Sequence, residues 1–371
     1  MKKTLLVIII WIIVVTLVGC GAKEIQSQAY ITGIGIDYAD GEFIVYIQAQ
    51  NFANIAKQEG TSSLQESVPN LIGEAKAKTI YAALNELEQK SPLPFYYGHV
   101  NTIILSENVI KDQMKSVIEY IGQNPLLRYN LWFFGTKENV KDILLGDSFF
   151  NFASLYTIIH NPDLLLINNY IIPIKEYNRF ISTYYQPTGS FIIPSLSLND
   201  ASFSEEDKKN KIAIVSGGFA VSQQQYKGWI AKEDLVGLKW LSKDINNIPY
   251  NLIENKISLI IQKPKMTIKV DRGSTPTYQL TLKMNAQIAQ NQENLSYTEI
   301  KKEVEKQIKK ELEKTIQKSD AIQTDLLNIS EKAYRYHLKE WDLATINSVS
   351  RDSIKKIDVK VNIIKTVHYK R

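Results

Sequence analysis

Residues Tyr30 to Asp37 and Phe43 to Ile47 are rich in β-branched and aromatic side chains. Asp40-Gly41 stands between them, so the first readable unit is a β-hairpin. From 64 to 90 the spacing turns helical. Ile72, Ala75, Thr79 and Ala82 fall near one period and Ile80, Leu84 and Leu87 near another, which predicts a helix broken near Pro69 and stopped by Ser91-Pro92-Leu93-Pro94. Val100 to Leu105 and Leu131 to Phe134 read as strands, and 107–121 and 138–145 as helices, the second closed by Gly146. Polar residues 202–210 read as a linker. Beyond it, 212–215 and 217–221 read as a second hairpin, followed by a strand over 228–230; 258–261 and 266–270 read as strands parted by Pro264, and 278–289 as one long alternating strand. Ser296-Tyr297-Thr298-Glu299 is a capping box, and Ile300, Val304, Ile308, Leu312 and Ile316 make one apolar stripe behind it. A further helix over 326–339 and a last strand over 357–365 complete the pattern.

This order of elements predicts an α+β protein, with mixed α/β domains, largely antiparallel sheets and packed helices. The expected division is an N-terminal region over 20–200 that could hold two subdomains, a linker over 201–211, and a C-terminal domain over 212–371.

One stretch departs from the rest. Residues 149–198 carry only four charged side chains, Asp163, Lys175, Glu176 and Arg179, and are rich in aromatic and aliphatic ones. Core helices have that composition. So does the centre of an interface with a protein partner or the bilayer. Phe149, Phe150, Phe152, Tyr156, Tyr170, Tyr184 and Tyr185 are the candidate partner surface, and burial decides between the two readings.

The N-terminus changes the picture further. Lys2 and Lys3 precede an apolar run from Leu5 to Leu17, broken only by Thr16, which ends in Leu17-Val18-Gly19-Cys20. That is the layout of a secretory signal peptide over 1–19. Its ending matches a bacterial lipobox, in which Cys20 receives a diacylglyceryl group and the peptide is cut before it. The run is too short to span a bilayer, which takes about 20 residues. Two acyl chains give stable anchoring where one gives only marginal binding. The expected product is a folded body tethered to the outer face of the cytoplasmic membrane by lipid on Cys20.

Composition narrows the chemistry. In 371 residues the formal charge is only +5 with no basic face, which argues against a nucleic-acid partner. Cys20 is the single cysteine, so neither an internal disulfide nor a structural zinc site of cysteines is available. His99, His160, His337 and His368 lie far apart in sequence and form no local metal motif; His99, after Gly98 and before a strand, suits a structural role. Gly33-Ile34-Gly35 lacks the third glycine of a dinucleotide loop, since Tyr38 stands there. No phosphate-binding loop or nucleophile elbow occurs. The expectation is a non-catalytic protein with no cofactor and no metal.

A family resemblance gathers these features. The lipobox with Glu24-Ile25, Ile34-Gly35-Ile36-Asp37, Gly98-His99 ahead of Ile103-Ile104-Leu105-Ser106-Glu107, Arg128, Trp132-Phe133 and Asp142-Ile143-Leu144 follow one another as in spore germination lipoproteins of the Ger(x)C type, which the chain resembles. Gly228-Trp229, Glu233, Gly237 and Trp240-Leu241 continue the likeness, as do Thr324-Asp325-Leu326, Tyr334, Trp341 and the Val359-Val361 strand. Gly21-Ala22 stand where many members have Trp-Asp after the lipidated cysteine. The resemblance implies the C subunit of a nutrient germinant receptor. Such a subunit sits on the outer face of the spore inner membrane and assembles with an A subunit and a transporter-like B subunit. It does not name the germinant or say whether this subunit touches it. A solute-binding lipoprotein of a transporter is the alternative; it would have two similar lobes about a polar cleft, and the uneven halves of this chain argue against it.

Overall fold

The first described element is a hairpin, as its sequence predicts. A computed structural model of the protein describes residues 28–52, 70–163, 171–205, 208–242 and 247–364. Strands β1 (Ala29–Ala39) and β2 (Glu42–Gln50) pair antiparallel across Asp40-Gly41. Both turn residues have positive φ, 54° and 77°, the requirement of the tight turn that matches strand twist.

The helix expected over 64–90 is corrected by the structure. Its described part contains β3 (Leu71–Ala77), antiparallel to β2, and helix α1 only from Ile80 to Lys90. Ile72 and Ala75 sit at helical spacing, but the open edge of β2 takes them into its ladder. The helix starts where Thr79 caps it, its side chain accepting from the Ala82 N–H at 3.1 Å.

The chain continues through β4 (Phe95–Tyr96), β5 (Thr102–Ser106), α2 (Glu107–Asp112), α3 (Met114–Gln123), β6 (Trp132–Thr136), α4 (Val140–Leu144), α5 (Tyr177–Tyr184) and β7 (Ser190–Asn199). A two-stranded ribbon, β8 (Ser204–Glu205) and β9 (Lys208–Lys209), leads to β10 (Ile212–Ser222) and β11 (Gln225–Ala231). The large sheet has the order β11-β10-β7-β6-β5-β1-β2-β3, with β4 on β1. Its centre, β7-β6-β5-β1, is parallel, and antiparallel strands flank it on both sides.

Two expectations change here. Residues 212–215 and 217–221 form one strand with a bulge between Val215 and Gly217. The polar segment 201–211, expected as an interdomain linker, instead connects β7 to β10, adjacent strands of the same sheet.

The second sheet is smaller: β12 (Asn247–Leu252), β13 (Ile257–Asp271), β14 (Thr277–Asn291) and β15 (Ile354–Ile364), in that order. The two strands expected on either side of Pro264 are one strand with an irregularity between Gln262 and Lys265, where Lys263 takes a φ of 49°. Helix α6 (Tyr297–Ala321) lies against this sheet, followed by α7 (Ser330–His337) and α8 (Leu343–Asn347).

All five stripe residues of α6 are buried. Ile300, Val304, Ile308 and Leu312 pack with Leu282, Met284 and Val361 of the sheet. The capping box is intact, with the Glu299 N–H donating to the Ser296 hydroxyl and the Ser296 N–H donating to the Glu299 carboxylate at 2.8 Å. Ser296→Ala should therefore lower stability by about 1 kcal/mol, read as a shift of the urea midpoint at unchanged slope.

Both faces of the large sheet are covered. Helices α1, α2, α3 and α5 bury one face, where Leu84, Val109, Val117 and Phe180 meet Ile103 and Phe133. On the other face Ile143 and Leu144 of α4 meet Ile104 and Phe134 in a core that also contains Tyr278, Leu280, Ile316, Leu326 and Trp341 from the second unit. The two sheets thus share apolar interior. Hydrogen bonds cross the same junction: the Ser190 N–H donates to Asn328, and Asn328 Nδ2 donates back to the Ser190 carbonyl at 3.0 Å.

Candidate functional site

Leu17, Val18, Gly19 and Cys20 lie outside the described residues, as does Tyr170. The other members of the expected aromatic surface separate into two groups.

Phe149, Phe150, Phe152 and Tyr156 form an exposed ridge beyond α4. Successive rings stand 6.1, 6.0 and 5.6 Å apart. Phe203, from the connection between β7 and β10, extends the ridge, 5.0 Å from Phe149. Phe150 is 62% exposed. It adopts φ 54° and ψ 33°, a left-handed conformation that costs a residue with a β-carbon roughly 1–2 kcal/mol. The segment is pinned on both sides. Asp147 exchanges hydrogen bonds with the Lys211 backbone, both at 2.8 Å. Ser154, buried, accepts from the side-chain amides of Gln48 and Gln50. Rigid supports thus hold a strained, outward-facing aromatic turn.

Tyr184 and Tyr185 do not belong to the ridge. Tyr184 is only 8% exposed and packs on Phe180 in the core under α5, so its place in a partner surface is corrected. Tyr185 is exposed beside it on that opposite side of the sheet.

A buried polar cluster lies beneath the ridge, and no local sequence signal marks it. His160 is fully enclosed. Its Nδ1 lies 2.6 Å from Asn101 Oδ1 and its Nε2 2.6 Å from Gln48 Oε1. The Gln48 amide also donates to the Leu144 carbonyl at 2.8 Å, and the Asn101 amide to the His160 carbonyl at 3.1 Å. Burial pushes the imidazole pKa down to about 3; a neutral ring donates from one nitrogen to one of the two amide oxygens, and the other oxygen then faces the bare nitrogen. These residues are 59 and 112 positions from His160 in sequence, which is why spacing could not reveal them. The cluster ties β2, the start of β5 and the ridge segment into one unit. Among the described residues no group of three or more metal-ligating side chains occurs.

His99 stands among Tyr30, Phe52 and Tyr96, with ring centroids at 5.5, 4.7 and 5.6 Å. Burial first, and then the positive charge of Arg128, lowers its pKa. A neutral ring in an aromatic cluster fits a structural role.

The stretch Glu233 to Leu241 docks onto α6. The Gly237 N–H donates to Thr315 Oγ1 at 2.9 Å, and Thr315 in turn donates to the Asp234 carbonyl at 2.9 Å. A β-carbon on Gly237 would stand 2.8 Å from that hydroxyl, so the close approach calls for glycine. Next to it Glu311 accepts from Trp240 Nε1 at 2.9 Å and from the Tyr250 hydroxyl at 3.1 Å, and pairs with Lys239 at 3.2 Å. The Lys239 ammonium also lies over the Trp240 and Tyr250 rings, at 4.7 and 5.0 Å. Burial depresses the lysine pKa, and Glu311 opposes that shift. These residues weld the segment after the large sheet to the helix of the small one; their chemistry is structural.

The comparisons with known proteins agree with this architecture. A family model described as spore germination protein N-terminal domain matches residues 21–198. A second, described as spore germination B3/GerAC-like, C-terminal, matches residues 217–367. The interval between them contains the expected linker, although the sheet runs across it. Spore germination protein KC of Bacillus subtilis (strain 168) is 21% identical over 302 residues, which are 73% of this chain and 71% of that protein. The crystal structure of the GerBC protein aligns with a TM-score of 0.54 at 15% identity, covering 90% of this chain and 97% of that one, which shows a common fold.

Proposed function

Because the chain belongs to the Ger(x)C family of spore germination proteins, we propose that it is the C subunit of a nutrient germinant receptor, a lipoprotein held on the outer face of the spore inner membrane by Cys20. The observation that carries the reading is the succession of both family halves along one chain. The N-terminal match begins at residue 21, directly behind the lipobox cysteine, which supports tethering at that position. Among the described residues no helix is long and apolar enough to cross a membrane. In this role the protein assembles with the membrane-embedded A and B subunits and is needed for the spore to respond to nutrients. It acts by binding and positioning, not by turnover.

The unlike sheets, one of nine strands and one of four, also favour this reading over a solute-binding lipoprotein built from two similar lobes. Deleting the gene and following germination over a panel of nutrients tests the function. Loss of the response to one class of nutrient, restored by the intact gene, is expected; a wild-type response to every nutrient would refute it.

The anchor has its own test. Cys20→Ala removes the only thiol that can take the diacylglyceryl group. The variant should take up no radioactive fatty acid, with its signal uncut or its body unlipidated, and continued labelling would exclude Cys20 as the attachment point.

A further inference from the structure

The exposed ridge and the start of β1 are neighbours. Tyr30 meets Phe52 edge-on at 5.0 Å. Phe52 and Leu155 both pack against Ala153, which lies between Phe152 and Tyr156 in the ridge segment. Upstream, Cys20 is eight residues from Gln28. Eight residues of fully extended chain reach at most about 28 Å. On the reading that Cys20 carries a diacylglyceryl group, this end of the ridge stays close to the bilayer surface, whichever way the body turns. A lipid surface is then the one partner that the tether keeps within reach when no other chain is present.

The composition of the ridge suits that partner. From Phe149 to Pro162 no side chain is charged, so the segment can meet the headgroup layer without desolvating an ion. Tyr156 has the half-apolar, half-polar ring favoured at that depth, and the phenylalanine rings add apolar area beside it. The left-handed turn at Phe150 and the pinned Ser154 hold the rings outward in advance. At the other end, the loop carrying Phe203 also carries Asp200, which confines the apolar contact to the Phe150–Tyr156 end.

We propose that Phe150, Phe152 and Tyr156 insert into the headgroup region of the bilayer, and that this second contact fixes the orientation of the lipid-tethered body on the membrane.

The test uses the full lipid-modified chain in vesicles of phosphatidylethanolamine and phosphatidylglycerol. Since lipid caps the only native cysteine, Phe150→Cys supplies a single free thiol for a fluorophore. Leu126→Cys, exposed on the opposite side of the large sheet, is the reference. Phe152→Cys gives a second ridge position if the left-handed turn does not tolerate the change at Phe150. Nitroxide-bearing lipids should quench the ridge label several-fold more than the Leu126 label. Equal quenching at both positions, in protein that floats with the vesicles, overturns the proposal while leaving the lipid anchor standing. Protection of the ridge label only in membranes that also contain the A and B subunits overturns it in favour of a protein partner. Protein that does not float at all removes the anchor, and with it the premise of the inference.

Discussion

Glu311→Ala should lower the stability of the protein by about 3–5 kcal/mol, the cost of leaving a buried charge without its partner. The carboxylate holds three groups at once, the Lys239 ammonium, the Trp240 indole N–H and the Tyr250 hydroxyl. Without it, Lys239 loses the group that sustains its charge in a site where only 8% of its side chain reaches solvent. The two aromatic faces over which it lies offset only part of that cost. Exchanging both partners, Lys239→Met with Glu311→Leu, should recover only the ionic part of the loss, because the Trp240 indole N–H and the Tyr250 hydroxyl still lose their acceptor. Chemical denaturation of the two variants checks this. A single variant within about 1 kcal/mol of wild type, well below the range for a broken buried pair, would show that the pair does not hold the junction.

Mild acid should destabilise the protein through His160. Its pKa lies near 3 in the folded chain, below the ordinary histidine value of 6.5. The unfolded chain therefore binds a proton, below about pH 6.5, that the folded chain refuses until about pH 3. Stability then rises with pH across that window, at up to about 1.4 kcal/mol per pH unit, and about 2 kcal/mol is lost between pH 6.5 and 5. Asp325 acts in the opposite sense, since burial raises its pKa. A variant that silences His160 alone isolates its share. His160→Gln keeps a polar group in the cluster but does not titrate, so its stability should depend less steeply on pH over this window. Equal slopes for the two proteins would remove His160 as the acid-sensitive group, whatever the absolute cost of the substitution.

What the sequence made legible was whatever local chemistry decides. The cap and stripe of α6 are read correctly because one face of one helix carries all the apolar residues, and the first hairpin because Asp40-Gly41 supplies its turn. Strand β7 was hidden because Pro194 lowers any strand reading; the structure admits it just before the pairing with β6 begins at Ser195. The turn between β10 and β11 was hidden for a different reason. Gln223 and Gln224 adopt φ of 50° and 62°, and glutamine is no turn signal. Strand β3 failed because a helical spacing of Ile72 and Ala75 lost to an open strand edge. In the ridge, composition identified Phe149, Phe150, Phe152 and Tyr156, but it could not separate them from the buried Tyr184, because core and interface use the same residues. Phe203 and the amides around His160 join through tertiary contacts alone.

The passage of the large sheet across the interval between the two family halves has a consequence for how such chains are inherited and cut. A fragment ending at residue 198 would strip β10 from β7 and leave a bare row of backbone donors and acceptors along a strand of mostly buried residues. Such an edge is a template for aggregation. A fragment beginning at residue 217 would keep most of β10, with Phe219 and Val221 facing solvent in place of the first core. The halves that look like exchangeable cassettes in sequence are therefore interlocked in space. Swapping them between relatives at that point would break a sheet, and a cut that leaves the large sheet whole falls after Ala231, at the end of β11.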